Sequence, residues 1–168
     1  MRSTYKYLAF AICLLVVAQA AFIVYANAGL FHWISEDGGV VDKALIDDES
    51  SSFPGLGGFM AHGMNGMMLI PLVSLALLVV SFFTKVKGAV AHGAAILGLV
   101  VLQVVLGMAA HGVPAIGPLH GINAFLILGA AAHAARLMSA GSVAASSTAG
   151  NDSTVPGQAD AGATQLQA

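Results

Sequence analysis

The sequence predicts an all-α protein of the membrane, an up-down bundle of four transmembrane helices made of two similar hairpins. Of its 168 residues, 58% are hydrophobic and only 8% are charged. A water-soluble domain of this size needs more charge than that to cover its surface. Four apolar segments are each close to the roughly 20 residues that a helix needs to cross a bilayer. They lack the alternation of period two that is typical of a transmembrane barrel.

The apolar segments cover about 7–28, 59–83, 86–110 and 119–137. Lipid offers no hydrogen bonds to the backbone, so each segment is predicted to be a helix. An acidic loop over 30–58 joins the first two segments, whereas the last two have a much shorter connection. We expect 1–138 to form one membrane domain. The remaining 139–168 are rich in Ala, Ser, Gly and Thr, which predicts a disordered cytoplasmic tail.

The first segment has an alternative interpretation as a cleaved signal peptide. Arg2 and Lys6 form a basic head, and Ala26-Asn27-Ala28 resembles a small-x-small cleavage site after Ala28. However, the apolar stretch from Leu8 to Val24 is longer than is usual for a signal peptide. We therefore favour a retained helix.

The basic residues orient the predicted bundle. With four spans, one side carries five of them and the other only Lys43; the five are Arg2, Lys6, Lys85, Lys87 and Arg136. The positive-inside rule then places both termini in the cytoplasm of a plasma-membrane protein. The lipid bilayer is thus the expected partner, with a redox partner or a second copy left open. A net charge of −2 is too small to suggest nucleic acid.

Two sequence elements occur twice. His-Gly-x-Asn opens the second segment at His62 and the fourth at His120, and it ends at Asn65 and Asn123. Val-Val-x-Gln occurs in the first segment, ending at Gln19, and in the third, ending at Gln103. The first and third segments therefore resemble each other, as do the second and fourth, which indicates a tandem pair of hairpins.

This repeat places two histidines at similar depth. The second and fourth helices run in the same direction and can face each other across a bundle core, so His62 and His120 are candidate axial ligands of one heme b iron. Asn65 and Asn123 follow on the same helix face and could bond an imidazole or a propionate. Gly107 on the third helix would give a bulky ring room.

A second histidine pair lies toward the cytoplasmic side. His92 opens the third segment and His133 lies near the end of the fourth. Thirteen residues separate His133 from His120, a rotation of roughly 220° on a regular helix, so the two do not share a face. We rank His92 and His133 below the outer pair as heme ligands.

Other interpretations of the histidines stay open. Histidines at the membrane boundary can be interfacial, and Gln19 and Gln103 can join helices by hydrogen bonds without any cofactor. A zinc or copper site would need three or four ligands. The spans contain no Asp or Glu, which disfavours a proton or cation transporter. No nucleophile–base pair or phosphate loop indicates an enzyme, so enzymatic activity is left undecided.

The layout of these residues resembles a family of small bacterial four-helix integral membrane proteins that has no established activity. The resemblance covers about Leu8–Leu137 and implies fold and topology but no reaction. The histidines on the second and fourth helices also resemble one half of heme A synthase and the heme-bearing core of b-type cytochromes. The acidic residue that accompanies a histidine in heme A synthase has no counterpart here.

Overall fold

The computed structural model describes residues 1–47 and 52–150, and the regular elements in these two ranges are all helical. They are α1 (Arg2–Glu36), α2 (Lys43–Asp47), α3 (Leu56–Met64), a π-helical turn (Asn65–Leu69), α4 (Ile70–Ser81), α5 (Ala89–Gly112), a 3₁₀ turn (Pro114–Ile116) and α6 (Gly117–Gly150).

Among the residues that the structure describes, four helices are long and apolar enough to cross a membrane. They cover Arg2–Glu36, Leu56–Ser81, Ala89–Gly112 and Pro114–Met138, and are called the first to fourth long helices below. The second combines α3, the π-helical turn and α4 in one continuous helix. The prediction of an all-helical chain with four long apolar helices is confirmed.

The helix boundaries differ from the prediction at several ends. The first long helix continues to Glu36, well into the predicted loop. The third begins only at Ala89, because Gly88 before it has a φ of 85°, a left-handed conformation that favours glycine. The fourth continues beyond the predicted end at 137, because α6 extends to Gly150. The disordered tail over 139–168 stays a prediction, and 151–168 lie outside the described residues.

Neighbouring helices enclose a narrow core. The α1 helix packs against α3, α4 and α6, whereas α5 packs against α4 and α6. Fully buried core side chains include Tyr5, Ile12, Leu77, Ile96 and Ile127. The Tyr5 hydroxyl donates a hydrogen bond to the Ala89 carbonyl (3.3 Å), so the phenol is satisfied where the first and third long helices approach each other.

The buried positions repeat along the chain. In the first and third long helices they match at a spacing of 84 residues, in the pairs Tyr5/Ala89, Ala9/Gly93 and Ile12/Ile96. In the second and fourth long helices, the buried residues Asn65 and Asn123 are 58 residues apart. The buried pairs that follow are 57 residues apart, namely Ile70/Ile127, Ser74/Ala131, Leu77/Ala134 and Ser81/Met138. The shift by one residue falls at the π-helical turn, so this turn accommodates one extra residue in the second long helix.

The residues just before α3 pack against α1. The Trp33 ring stacks on Phe53, with ring centroids 5.5 Å apart. Gly55, with a φ of 93°, approaches α1 so closely that a Cβ there would lie 2.6 Å from the Ala26 carbonyl oxygen. A Cβ on Gly58 would lie 2.7 Å from the Phe22 carbonyl oxygen. These glycines therefore permit backbone-to-backbone contact at this end.

Candidate functional site

The first copy of the repeat forms a hydrogen-bonded cluster between the first and second long helices. Nδ1 of His62 lies 3.1 Å from the Gln19 carbonyl oxygen, and the Gln19 amide donates to the His62 carbonyl at 2.7 Å. A carbonyl oxygen can only accept, so the proton of the neutral imidazole is on Nδ1 and Nε2 carries the lone pair. Nε2 of His62 has no hydrogen-bond partner in the described part of the chain.

Asn65 completes this cluster one helical turn later. Its amide nitrogen donates to the side-chain oxygen of Gln19 at 2.7 Å and to the Leu15 carbonyl at 3.1 Å. The asparagine is only 7% exposed. A buried amide needs such partners, because an unsatisfied donor in an apolar setting costs about 1–3 kcal/mol. We call Gln19, His62 and Asn65 the first triad.

Gln103, His120 and Asn123, called the second triad, join the third and fourth long helices in a similar way. Nδ1 of His120 lies 3.1 Å from the Gln103 carbonyl oxygen. The Asn123 amide donates to the Gln103 side-chain oxygen (2.7 Å) and to the Leu99 carbonyl (2.9 Å). Leu15 and Leu99 are themselves 84 residues apart, so the asparagine amide has matching acceptors in both triads.

The triads differ in where the glutamine amide nitrogen points. In the second triad it lies 3.1 Å from Nε2 of His120 rather than on a main-chain carbonyl. Since Nδ1 of His120 donates to a carbonyl, Nε2 accepts from this amide. The free ring nitrogen of the first triad is therefore occupied in the second.

Glycines at different positions explain this difference. A Cβ on Gly66 would collide with the side-chain nitrogen of Gln19, so glycine leaves room for that amide; the position 58 residues later is Ala124. In the second hairpin a Cβ on Gly107 would lie 3.0 Å from Cε1 of His120. The residue 84 positions earlier is Ile23. Gly107 thus lets the His120 ring lie against the third long helix.

The two triads meet through their histidines. The ring centroids of His62 and His120 are 6.3 Å apart and the ring planes are inclined by 50°. A metal–nitrogen bond is about 2 Å long, and each vertex of a five-membered ring lies about 1.1 Å from the ring centre. The ring centre of an imidazole ligand therefore lies about 3.1 Å from the metal ion. Two imidazoles on opposite sides of one ion then have centres about 6.2 Å apart.

Each triad also leaves one buried acceptor unused. Among the described residues, the side-chain oxygens of Asn65 and Asn123 are buried and have no hydrogen-bond partner. Asn123 is 3% exposed. Buried polar atoms of this kind are usually satisfied by an ordered water or a bound group. The asparagines bond glutamine and main-chain atoms here, and neither bonds an imidazole.

A second histidine pair lies toward the other end of the helices. The ring centroids of His92 and His133 are 5.1 Å apart, with planes inclined by 32°. Nδ1 of His92 lies 2.8 Å from the Gly88 carbonyl one turn earlier, which directs the lone pair of the neutral ring to Nε2. His133 is exposed. As the sequence spacing predicts, His133 meets a different partner from His120.

The glycines near the histidines differ in their surroundings. Gly63 and Gly121, which follow His62 and His120, have no atom within 4 Å of a Cβ built on either. Gly107 contacts the His120 ring itself. Sequence reasoning missed Gly66 and the π-helical turn that contains it, although Pro71 close behind was a signal of irregular helix.

Within 1–47 and 52–150, no group of three or more His, Cys, Asp or Glu is arranged to hold a metal ion. Comparisons with protein-family models, curated proteins and solved structures find no match to this chain.

Proposed function

We propose that this chain is a four-span protein of the plasma membrane that binds one b-type heme between His62 and His120. It would act as a small electron-transfer protein or as an accessory subunit of a redox complex. The observation that carries the proposal is the 6.3 Å separation of the two imidazole rings. It agrees with the separation of about 6.2 Å derived above for opposite ligands of one ion.

The helix packing supports an up-down arrangement of two hairpins. Such a bundle brings consecutive helices together and returns the fourth to the first, while the second and fourth lie diagonally. The packing of α1 on α3, α4 and α6, and of α5 on α4 and α6, follows this pattern. The five basic residues on one side favour cytoplasmic termini.

The residues around the histidines fit a ligand role. A histidine that binds a metal usually donates its other ring nitrogen to a carbonyl, which fixes the ring orientation. The Gln19 and Gln103 carbonyls provide this support for His62 and His120. Nε2 of His62 is available to bind a metal. Nε2 of His120 accepts a hydrogen bond from the Gln103 amide, which would have to move away before this nitrogen could bind a metal. The unused oxygens of Asn65 and Asn123 could accept hydrogen bonds from water beside the group. A bound heme would supply one-electron transfer.

A second candidate function needs no cofactor. The Gln103 amide already satisfies Nε2 of His120, and both Nδ1 atoms are bonded to carbonyls. The triads could therefore serve only to join helices in a membrane protein with a structural or assembly role. Hydrogen bonds between membrane helices are worth about 0.6 kcal/mol on average, so two triads could set the register of the hairpins.

Heme binding can be tested on full-length protein purified in detergent from cells supplied with heme. We expect the reduced-state absorption bands of low-spin iron with two histidine ligands. His62→Ala and His120→Ala should each abolish or convert that spectrum, because one remaining ligand leaves the iron high-spin or unbound. His111→Ala is the matched control, since His111 is an exposed histidine near the same end of the helices. Protein without heme after supplementation would favour the structural role.

The topology can be tested independently of any cofactor. A reporter fused after Ala168 should be active in the cytoplasm, and one inserted beside Asp47 should be active outside. Reporters active on the same side would contradict the four-span arrangement. N-terminal sequencing of the mature protein tests cleavage after Ala28.

A further inference from the structure

We propose a second metal site at the other histidine pair, where His92 and His133 together bind one divalent transition-metal ion of the zinc class. The site is separate from the outer histidines and does not depend on whether heme binds there. Structural and catalytic zinc sites have three or four protein ligands. A site with two histidines, completed by water, would therefore bind its ion weakly and exchange it readily. The argument begins with the different separations of the two ring pairs.

The distance between the His92 and His133 rings fits two ligands at a tetrahedral angle about one ion, and not two ligands on opposite sides of it. With ring centres about 3.1 Å from an ion, as estimated above, ligands that subtend a tetrahedral angle have ring centres about 5.1 Å apart. The centroids of His92 and His133 are 5.1 Å apart. They are too close for opposite ligands of one ion, which need about 6.2 Å. The inner pair is therefore unsuited to axial ligation of a heme and suited to an ion with tetrahedral preference.

His92 is already held as a metal ligand would be. The Gly88 carbonyl, 2.8 Å from Nδ1, fixes the proton on that nitrogen and leaves Nε2 for a metal. Gly88 adopts a φ of 85° at the start of α5, so a glycine-dependent turn positions this carbonyl. The support is independent of the distance between the rings.

The surroundings define which ion would bind. Imidazole ligands suit zinc, copper, nickel and cobalt ions better than calcium or magnesium, which prefer oxygen. His133 lies on the bundle surface and His92 is half-buried, and both are near the helix ends that carry Lys87 and Arg136. In the proposed topology water meets the bilayer at these ends, so it can reach the ion. Arg136, one turn after His133, is an exposed cation that opposes a positive ion. We therefore expect a site that exchanges its metal rather than a permanently closed structural site.

The test uses full-length protein in detergent, washed with a chelator and titrated with Zn²⁺ in competition with a zinc-sensitive dye. We expect one ion per chain. Two fixed imidazoles act as a bivalent ligand, so His92→Ala and His133→Ala should each weaken binding by about a hundredfold. His32→Ala and His111→Ala, which remove exposed histidines elsewhere, should leave the affinity unchanged.

The double variant His62→Ala/His120→Ala separates this proposal from heme binding. Zinc affinity retained in it supports an inner site, whether or not heme binds to the wild type. Zinc affinity lost in it, or unchanged in both inner single variants, would overturn the proposal and leave His92 and His133 as a stacked pair. Should either alanine variant fold poorly, His92→Gln and His133→Gln provide the same comparison with a polar side chain of related size.

Discussion

The two triads make nearly the same hydrogen bonds but leave their histidines in different states. In the first, the Gln19 amide bonds a main-chain carbonyl and Nε2 of His62 stays available. In the second, the Gln103 amide caps Nε2 of His120. Gly66 leaves room for the Gln19 amide in the first triad, and Gly107 leaves room for the His120 ring in the second. A duplicated motif can thus hold two helices together in both copies while only one copy exposes a ring nitrogen.

The largest expected effect comes from removing the glutamines. Gln19→Leu and Gln103→Leu each delete the acceptor of an asparagine amide and a second hydrogen bond, so we expect a loss of about 1–2 kcal/mol in stability. Thermal unfolding in detergent measures it. A double-mutant cycle of Gln103→Leu with Asn123→Leu should give a coupling energy of about 0.6 kcal/mol or more. Additive effects would contradict the second triad.

The same two variants, Gln19→Leu and Gln103→Leu, should also differ in their effect on heme binding. Only Gln103→Leu uncovers an imidazole nitrogen, so only this variant should strengthen heme binding under the proposed function. Equal heme titrations for Gln19→Leu and Gln103→Leu would mean that the capping of His120 has no functional consequence.

A smaller effect is expected at Gly66. An alanine Cβ there displaces the flexible end of Gln19, so Gly66→Ala should be less stable than a matched Gly→Ala control by about 1 kcal/mol, the value of one hydrogen bond. Gly63→Ala is the matched control on the same helix, because its Cβ meets no atom within 4 Å. Alanine also has the higher helix propensity, so the control should be neutral or slightly stabilising. Equal thermal stability of both variants would contradict this role of Gly66.

Gly107→Ala should have a still smaller cost. Its Cβ would lie 3.0 Å from Cε1 and 3.1 Å from Nδ1 of His120, so the ring must shift by a few tenths of an ångström. We expect a loss of about 0.5 kcal/mol, against a gain of similar size for Gly98→Ala on the same helix, where a Cβ meets open space. The difference in unfolding temperature between the two variants is the measurement.

The smallest effect is expected from shortening the acidic loop, which would make the first hairpin more like the second. Deletion of Asp42–Ser51 retains Trp33 and Phe53, whose rings already stack at 5.5 Å. Loop closure changes by only about 0.6 kcal/mol for each doubling of length. The bundle should therefore fold with nearly unchanged thermal stability. A deletion variant that fails to accumulate in the membrane would show that this segment is required for folding.

The sequence allowed the helices and the repeated polar positions to be predicted, because apolar length and spacing are written directly in it. It identified His62 with His120, and His92 with His133, as residues of similar depth. It could not distinguish their separations of 6.3 and 5.1 Å, which depend on how far each helix pair approaches. The direction of each glutamine amide also escaped prediction, since it depends on the space left by a glycine on a neighbouring turn.

The π-helical turn has a consequence for how this chain tolerates changes in length. One inserted residue in a regular helix would rotate everything after it by about 100° and turn the buried face outward. The turn at Asn65–Leu69 absorbs that rotation, so Ile70, Ser74 and Leu77 keep the inward positions of their counterparts in the fourth long helix. Deletions of one residue are therefore best accommodated between Asn65 and Leu69, where they would restore the regular helix seen at the matching positions of the fourth long helix. Elsewhere in the second long helix they would disrupt the core.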